Sequence, residues 1–197
     1  MGVRRIVLLV ATAAAMAQDG GGVKARLDKP GGALYATIGG AEKKVAESAQ
    51  KAWVAGEGRT IAFSGKDGAG GYENEGQSLY LYDTRTGQSR KVMAEYFVIE
   101  DVKEARTSTG KQVLLALMSD SNLDAYHVAV IDPDRGEVFC EDGAKISTVE
   151  GDNLALAYYG DDDWDALRDK QDVKPQKIQQ YDLKELLAKA VMTNQRN

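Results

Sequence analysis

The chain has 197 residues, of which 43% are apolar, 28% charged and 7% aromatic, a composition outside the disordered and collagen-like classes. A single cysteine and a single histidine exclude a disulfide framework and a zinc cage of thiolates and imidazoles drawn from one chain. The formal charge is −5 and no basic stripe is present, which argues against a nucleic-acid surface.

In chain order, the first element is a targeting segment. Arg4 and Arg5 precede an unbroken apolar and small run from Ile6 to Ala17, and Ala15-Met16-Ala17 is the small-x-small pattern that a signal peptidase cuts. Residues 1–17 therefore read as a signal peptide, and the protein as periplasmic or secreted. The run is too short to span ~30 Å of hydrocarbon, so no membrane span is expected. Residues 18–32 read as a flexible N-terminal segment.

Residues 33–182 carry an internal repeat. Leu81-Tyr82-Asp83-Thr84-Arg85-Thr86-Gly87 and Val130-Ile131-Asp132-Pro133-Asp134-Arg135-Gly136 are each an apolar strand ending in aspartate, then a tight turn closed by glycine. Gln180-Tyr181-Asp182 is a third copy and Leu34-Tyr35-Ala36-Thr37-Ile38-Gly39-Gly40 an earlier one. A second element precedes each later copy: Gly58-Arg59-Thr60-Ile61, Gly110-Lys111-Gln112-Val113 and Gly151-Asp152-Asn153-Leu154, a glycine and two polar residues opening an apolar strand. Repeats of ~40–50 residues with short strands and glycine turns are the signature of propeller blades. One such blade cannot bury both of its faces, so blades stack.

The stretch Trp53-Val54-Ala55-Gly56-Glu57-Gly58-Arg59-Thr60-Ile61-Ala62-Phe63, followed by Leu79-Tyr80-Leu81-Tyr82-Asp83 and the turn at Gly87, resembles the TolB-like propeller repeat, a WD-like repeat. That repeat reads tryptophan, Ser-Pro-Asp-Gly, an Ile-Ala-Phe strand, a Tyr-x-x-Asp strand and a Thr-Gly turn. Here Ala55-Gly56-Glu57 stands in place of Ser-Pro-Asp, and Gly58 keeps the glycine position. The fold class expected is all-β: a small or partial β-propeller of about four antiparallel blades with a C-terminal amphipathic helix. The sequence supplies an outer hairpin at 33–47, full blades at 52–93 and 96–141, and most of another at 146–182. Such a chain is expected to close as a small four-bladed ring, to pair with another copy, or to rest on a partner.

The acidic insertion after the strand at 153–158 places Asp161, Asp163, Asp165, Asp169 and Asp172 at EF-hand-like positions, so these are the candidate calcium ligands. Ala166 stands where that loop needs glycine, and Asp172 where it needs a bidentate glutamate. The rival reading is a solvated acidic insertion folded back by Trp164. The glycine-rich stretch from Ser64 to Gln77 reads as a surface loop or a binding loop on one rim. His127, with Asp124 and Ser121 near it, lacks the glycine pattern of a nucleophile elbow and reads as a hydrogen-bonded strand histidine. Cys140 reads as a buried small hydrophobe.

The chain ends in a helix and tail, 183–197. Leu183, Leu186, Leu187, Ala190 and Val191 share one stripe, and Asp182 with Glu185 forms a capping box. The stripe either covers the last blade or is a partner-binding face. The functional expectation is a non-catalytic binding or scaffolding module of the cell envelope, not an enzyme, working on an envelope protein partner or by self-association and needing no cofactor, with calcium as the single candidate ligand. The TolB-like resemblance implies contact with another envelope protein. The alternatives are an accessory propeller to a peptidase or hydrolase system and a secreted calcium- or small-ligand-binding protein.

Overall fold

The structure, a computed structural model, describes residues 19–20, 22–66, 76–119, 125–169 and 171–194. The fold is almost entirely antiparallel β. Strands β1 (Asp19–Gly20), β2 (Val23–Leu27), β3 (Gly32–Ile38) and β4 (Ala41–Ala49) pair in chain order as a first sheet. Strands β5 (Lys51–Ala55), β6 (Thr60–Lys66), β7 (Gln77–Asp83) and β8 (Gln88–Arg106) form the second. The 19-residue β8 pairs with β7 through its first part and, from Val98 onward, with β9 (Gln112–Ser119). It thus leaves the outer edge of one sheet and becomes the inner edge of the next, which β10 (Tyr126–Asp132) and β11 (Gly136–Asp142) complete. The fourth sheet is β12 (Ala144–Glu150), β13 (Asn153–Tyr158) and β14 (Lys177–Asp182). A short helix α1 (Trp164–Arg168) lies in the connection from β13 to β14, and α2 (Leu183–Asn194) follows β14 without a linker.

Strand alternation makes these sheets stack. In β2, Val23 and Ala25 are buried while Lys24 and Arg26 are exposed, the period-two pattern of a half-buried strand. Three apolar cores result. The first joins Val23, Ala25, Leu34 and Ala36 to Ile61, Phe63 and Tyr82 of the second sheet. On the other face of the second sheet, Trp53, Ala62, Leu79 and Leu81 meet Ile99, Leu114, Met118 and Ile131 of the third. Val113, Leu115, Val128 and Val130 then meet Leu154 and Leu156 of the fourth sheet and Leu183, Leu186 and Leu187 of α2. Each fully buried leucine or isoleucine contributes roughly 1.5–3 kcal/mol of transfer free energy, so these three seams carry the fold.

Four sheets and three cores describe an open arc rather than a closed ring. No element of the first sheet makes more than marginal contact with the fourth among the described residues. The outward face of the first sheet is polar: the Arg26 guanidinium pairs with Asp28 and Glu42 and sits 4.6 Å over the Tyr35 ring. Among the described residues the only large hydrophobic side chain left exposed is Ile178. The end sheets thus behave as the polar caps of a repeat array, and the expected need for ring closure or a covering partner does not arise from exposed apolar surface.

Two expectations are corrected here. Residues 18–32 are not a flexible segment as far as they are described, because β2 pairs with β3 from Lys24↔Thr37 to Leu27↔Leu34 and buries Val23 and Ala25. The hairpin at 33–47 is accordingly the outer half of a four-stranded first blade, with β1 and β2 as its inner half.

Candidate functional site

The connections sort into two rims. One carries tight turns: 39–40, 56–58, 84–87, 107–111, 133–135 and 151–152. The other carries the longer connections after β6, β9 and β13.

The repeat aspartates build the tight-turn rim. Asp83 Oδ1 accepts the N–H groups of Arg85 and Thr86 at 2.8 and 3.1 Å, Asp132 Oδ1 accepts that of Asp134 at 2.9 Å, and Asp182 Oδ1 accepts those of Lys184 and Glu185 at 2.8 and 3.2 Å. Each copy spends its carboxylate on the turn that follows, and in the last copy that turn is the first turn of α2. Neighbouring sheets are tied along the same rim. Glu104 Oε2 accepts the Gly56 N–H at 2.6 Å, Asp152 Oδ1 accepts the Ser108 N–H at 2.7 Å, and the Arg135 guanidinium donates to the Leu187 carbonyl at 2.8 Å.

Between the second and third sheets this rim opens into a cleft of about 440 Å³, within the range of small-ligand sites. Arg59, Arg85, Arg90 and Asp83 line it from the second sheet, and Gln112 and Asp134 from the third. Buried Leu81 contributes an apolar patch to its wall. Gln112 Nε2 is buried there with no acceptor among the described residues. Asp83 is already neutralised by Arg85 at 3.2 Å, whereas Arg59 and Arg90 form no ion pair among the described residues. Within a chain of net charge −5 this cleft is lined by more guanidinium groups than carboxylates.

Sequence reasoning missed the cleft because Arg59, Arg90 and Gln112 looked like ordinary turn and strand-opening residues. The usable signal was the repeat itself: the position after the repeat glycine is Arg59, Lys111 and Asp152, and a charge there in three copies invites the question of its partner.

The acidic insertion does not wrap as an EF-hand loop. Asp161–Asp163 form a 3₁₀ turn that runs into α1, and Asp163 Oδ2 accepts the Gly160 N–H at 2.8 Å. Asp161, Asp163, Asp165, Asp169 and Asp172 are therefore not strung along an extended ligand loop. No cluster of three acidic, histidine or cysteine side chains fit to hold a metal exists among the described residues. Trp164, buried between Tyr126 and Tyr159 at ring distances of 5.7 and 5.5 Å, folds the insertion back onto the sheets.

The partner-binding expectation for Leu183, Leu186 and Leu187 is corrected. All three are buried in the third core, since α2 starts at β14 itself and lies against β11, occupying the place of the missing outer strand. The side chains of Ala190 and Val191 lie outside the described residues.

His127 is buried on β10, its Nδ1 2.7 Å from Asp142 Oδ1. Ser121 and Asp124 lie outside the described residues, as does 67–75 of the glycine-rich loop. At that loop's edges, Ser64 Oγ accepts the Lys51 N–H at 3.2 Å and Gln77 Oε1 accepts the Ile99 N–H at 3.3 Å, so both work as strand ties. Cys140 is exposed on β11 rather than buried. Its thiol is nevertheless pushed up to about 11, by local desolvation first and then by Glu137 and Asp142, which makes it a poor nucleophile at neutral pH.

No protein-family model and no curated protein matches the chain. Among solved structures it is similar to an acylaminoacyl peptidase of Pyrococcus horikoshii in its orthorhombic crystal form, with a TM-score of 0.51 at 14% identity over 86% of this chain. The chain spans 32% of that peptidase's length. It also overlaps, at a TM-score of 0.35 and 12% identity, a structure assigned as an exo-beta-1,3-galactanase of Bifidobacterium bifidum, covering 74% of this chain and 61% of that one.

The first likeness is one of fold, and the fold is β-sheet-rich and resembles propeller domains. It also corrects the expectation that set enzymes aside. The structure matched over most of this chain is that of an enzyme, so a propeller-like fold gives no ground for excluding one. No helix among the described residues is long and apolar enough to cross a membrane.

Proposed function

We propose that this chain is a TolB-like propeller-type binding module, working in the periplasm or outside the cell, that meets a protein partner through its tight-turn rim. The observation that carries this reading is the cleft between the second and third sheets, where two neighbouring blades part to leave an accessible, polar, ligand-sized space. The rim around it is held by backbone-directed carboxylates and inter-sheet bonds, so it is a preorganised surface that loses little entropy on binding.

A photo-reactive side chain at Thr86, on the cleft wall, tests the reading against the same group at Thr37 on the first sheet. A discrete cross-linked protein species from Thr86 alone supports it. Equal cross-linking from both positions, or none from Thr86, overturns it.

A second reading is favoured by the likeness to the peptidase: the arc serves as an accessory to a peptidase or hydrolase system, presenting or admitting its substrates. Peptidase activity in the Thr86 cross-linked species, absent from the Thr37 control, distinguishes this reading from simple scaffolding.

A further inference from the structure

We infer that the cleft between the second and third sheets recognises carboxylates, and that the ligand it takes is a short acidic peptide segment. The inference deepens the proposed partner-binding reading and rests on it.

It starts from a comparison the molecule makes with itself. In the third sheet the residue after the repeat glycine, Lys111, places its ammonium 2.8 Å from Asp132, the repeat aspartate of its own sheet. In the fourth sheet the equivalent residue, Asp152, pairs with Lys184 at 2.8 Å. Both charges are spent on the fold. In the second sheet the equivalent residue is Arg59, and there the repeat aspartate, Asp83, pairs with Arg85 and with no other cation among the described residues, whereas Asp132 holds both Lys111 and Arg135. Arg59 is thereby released from the structural duty its counterparts perform, and it stands on the wall of the cleft.

Arg90 adds a second guanidinium. It lies opposite Leu81 in the β7–β8 ladder, so it sits beside the apolar patch of the wall. Thr60 and Ser89 contribute hydroxyls. The site thus offers cationic donors in excess, with carboxylates limited to Asp83, already paired, and Asp134.

Guanidinium groups bind carboxylates through paired N–H donors. The apolar Leu81 and Pro133 suit the aliphatic stems of glutamate side chains. Asp83 from the second sheet and Asp134 from the third disfavour a compact dianion such as phosphate, whose charge cannot be spread to avoid them.

The test is calorimetric titration of the full chain with hexaglutamate, with pyrophosphate and hexalysine as comparison probes. The expected result is saturable hexaglutamate binding that weakens at least tenfold in the double variant Arg59→Gln/Arg90→Gln, weakens between 50 and 300 mM salt, and is unchanged in Lys24→Gln/Arg26→Gln on the first sheet. Arg90→Gln alone gives an intermediate loss and guards against a folding defect in the double variant. Binding that survives the double variant, tighter binding of pyrophosphate, or no binding of hexaglutamate overturns the inference. Thr86 cross-linking that persists in the double variant would leave the partner-binding reading standing while removing the carboxylate one.

Discussion

Lys111 Nζ lies 2.8 Å from Asp132 Oδ2, and Arg135 Nε reaches the same oxygen at 2.5 Å, around a carboxylate with no exposed surface. Burial alone would raise this carboxyl. The Lys111 ammonium, the Asp134 N–H and the Arg135 guanidinium outweigh it and hold the group below its ordinary value. Asp152 is lowered to about 2 by Lys184 and Ser108, and Glu100 is also lowered, where burial is outweighed by Lys51 and Ser119.

A carboxylate whose value is depressed on folding adds stability that is present above its unfolded value and lost as pH falls through the folded one. The stability of the protein is therefore expected to be flat from pH 7 to pH 5 and to drop between about pH 4 and pH 2. Urea midpoints across this range check it. Asp132→Asn should flatten the drop, and a midpoint that rises toward pH 3 would contradict the assignment.

The two complete copies of the repeat aspartate differ in burial. Asp132→Ala removes two charge-assisted contacts and a turn bond in a buried setting, for which hydrogen bonds to charged groups contribute about 1.5–3 kcal/mol each way of counting. Asp83 is partly exposed and paired with an exposed Arg85, so Asp83→Ala should cost less, about the ~1 kcal/mol of a lost turn cap. Chemical denaturation of both variants gives the order, and a larger loss from Asp83→Ala would refute it.

Helix α2 belongs to the core. Leu183 is fully buried, and Leu183→Ala should cost about 2–5 kcal/mol, a large share of a domain's total of ~5–15 kcal/mol. Leu186→Asp with Leu187→Asp should unfold or aggregate the protein. Thermal melting with light scattering decides, and an unchanged melting temperature would return the stripe to the partner-binding role.

Cys140 should react slowly although it is exposed. Thiol alkylation proceeds through the thiolate, and a value of about 11 leaves that form scarce at pH 8. Its iodoacetamide rate should be about two orders of magnitude below that of free cysteine and should recover on unfolding in urea. Equal rates in both states would show that local desolvation and the surrounding acids do not control it.

The blades were legible because each repeat writes its strand alternation and turn chemistry locally: Leu81, Asp83 and Gly87 specify a strand, an Asx turn and a positive-φ residue within one short window. The first blade was half hidden because its inner strands precede the repeat proper, and Val23 and Ala25 show their burial only once Ile61 and Phe63 are packed against them. The role of α2 was open for the same reason, since a stripe of leucines reads alike whether it meets β11 or a stranger. The cleft was not legible. It depends on which acid Arg85 chooses, a side-chain pairing that no spacing rule encodes.

How the arc ends is the central claim about the fold, since a closed ring would bring the first sheet against the fourth. The direct measurement is spin-label spectroscopy on a Cys140→Ser background, with cysteines introduced at Lys24 and Gln180 on the outward faces of the first and fourth sheets. The open arc requires both labels to be mobile, with no short-range coupling, in a particle whose scattering mass is that of one chain. Immobilised, dipolar-coupled labels in a particle of that mass would mean that the first sheet closes on the fourth, and the same coupling at twice the mass would mean that a second copy completes the ring.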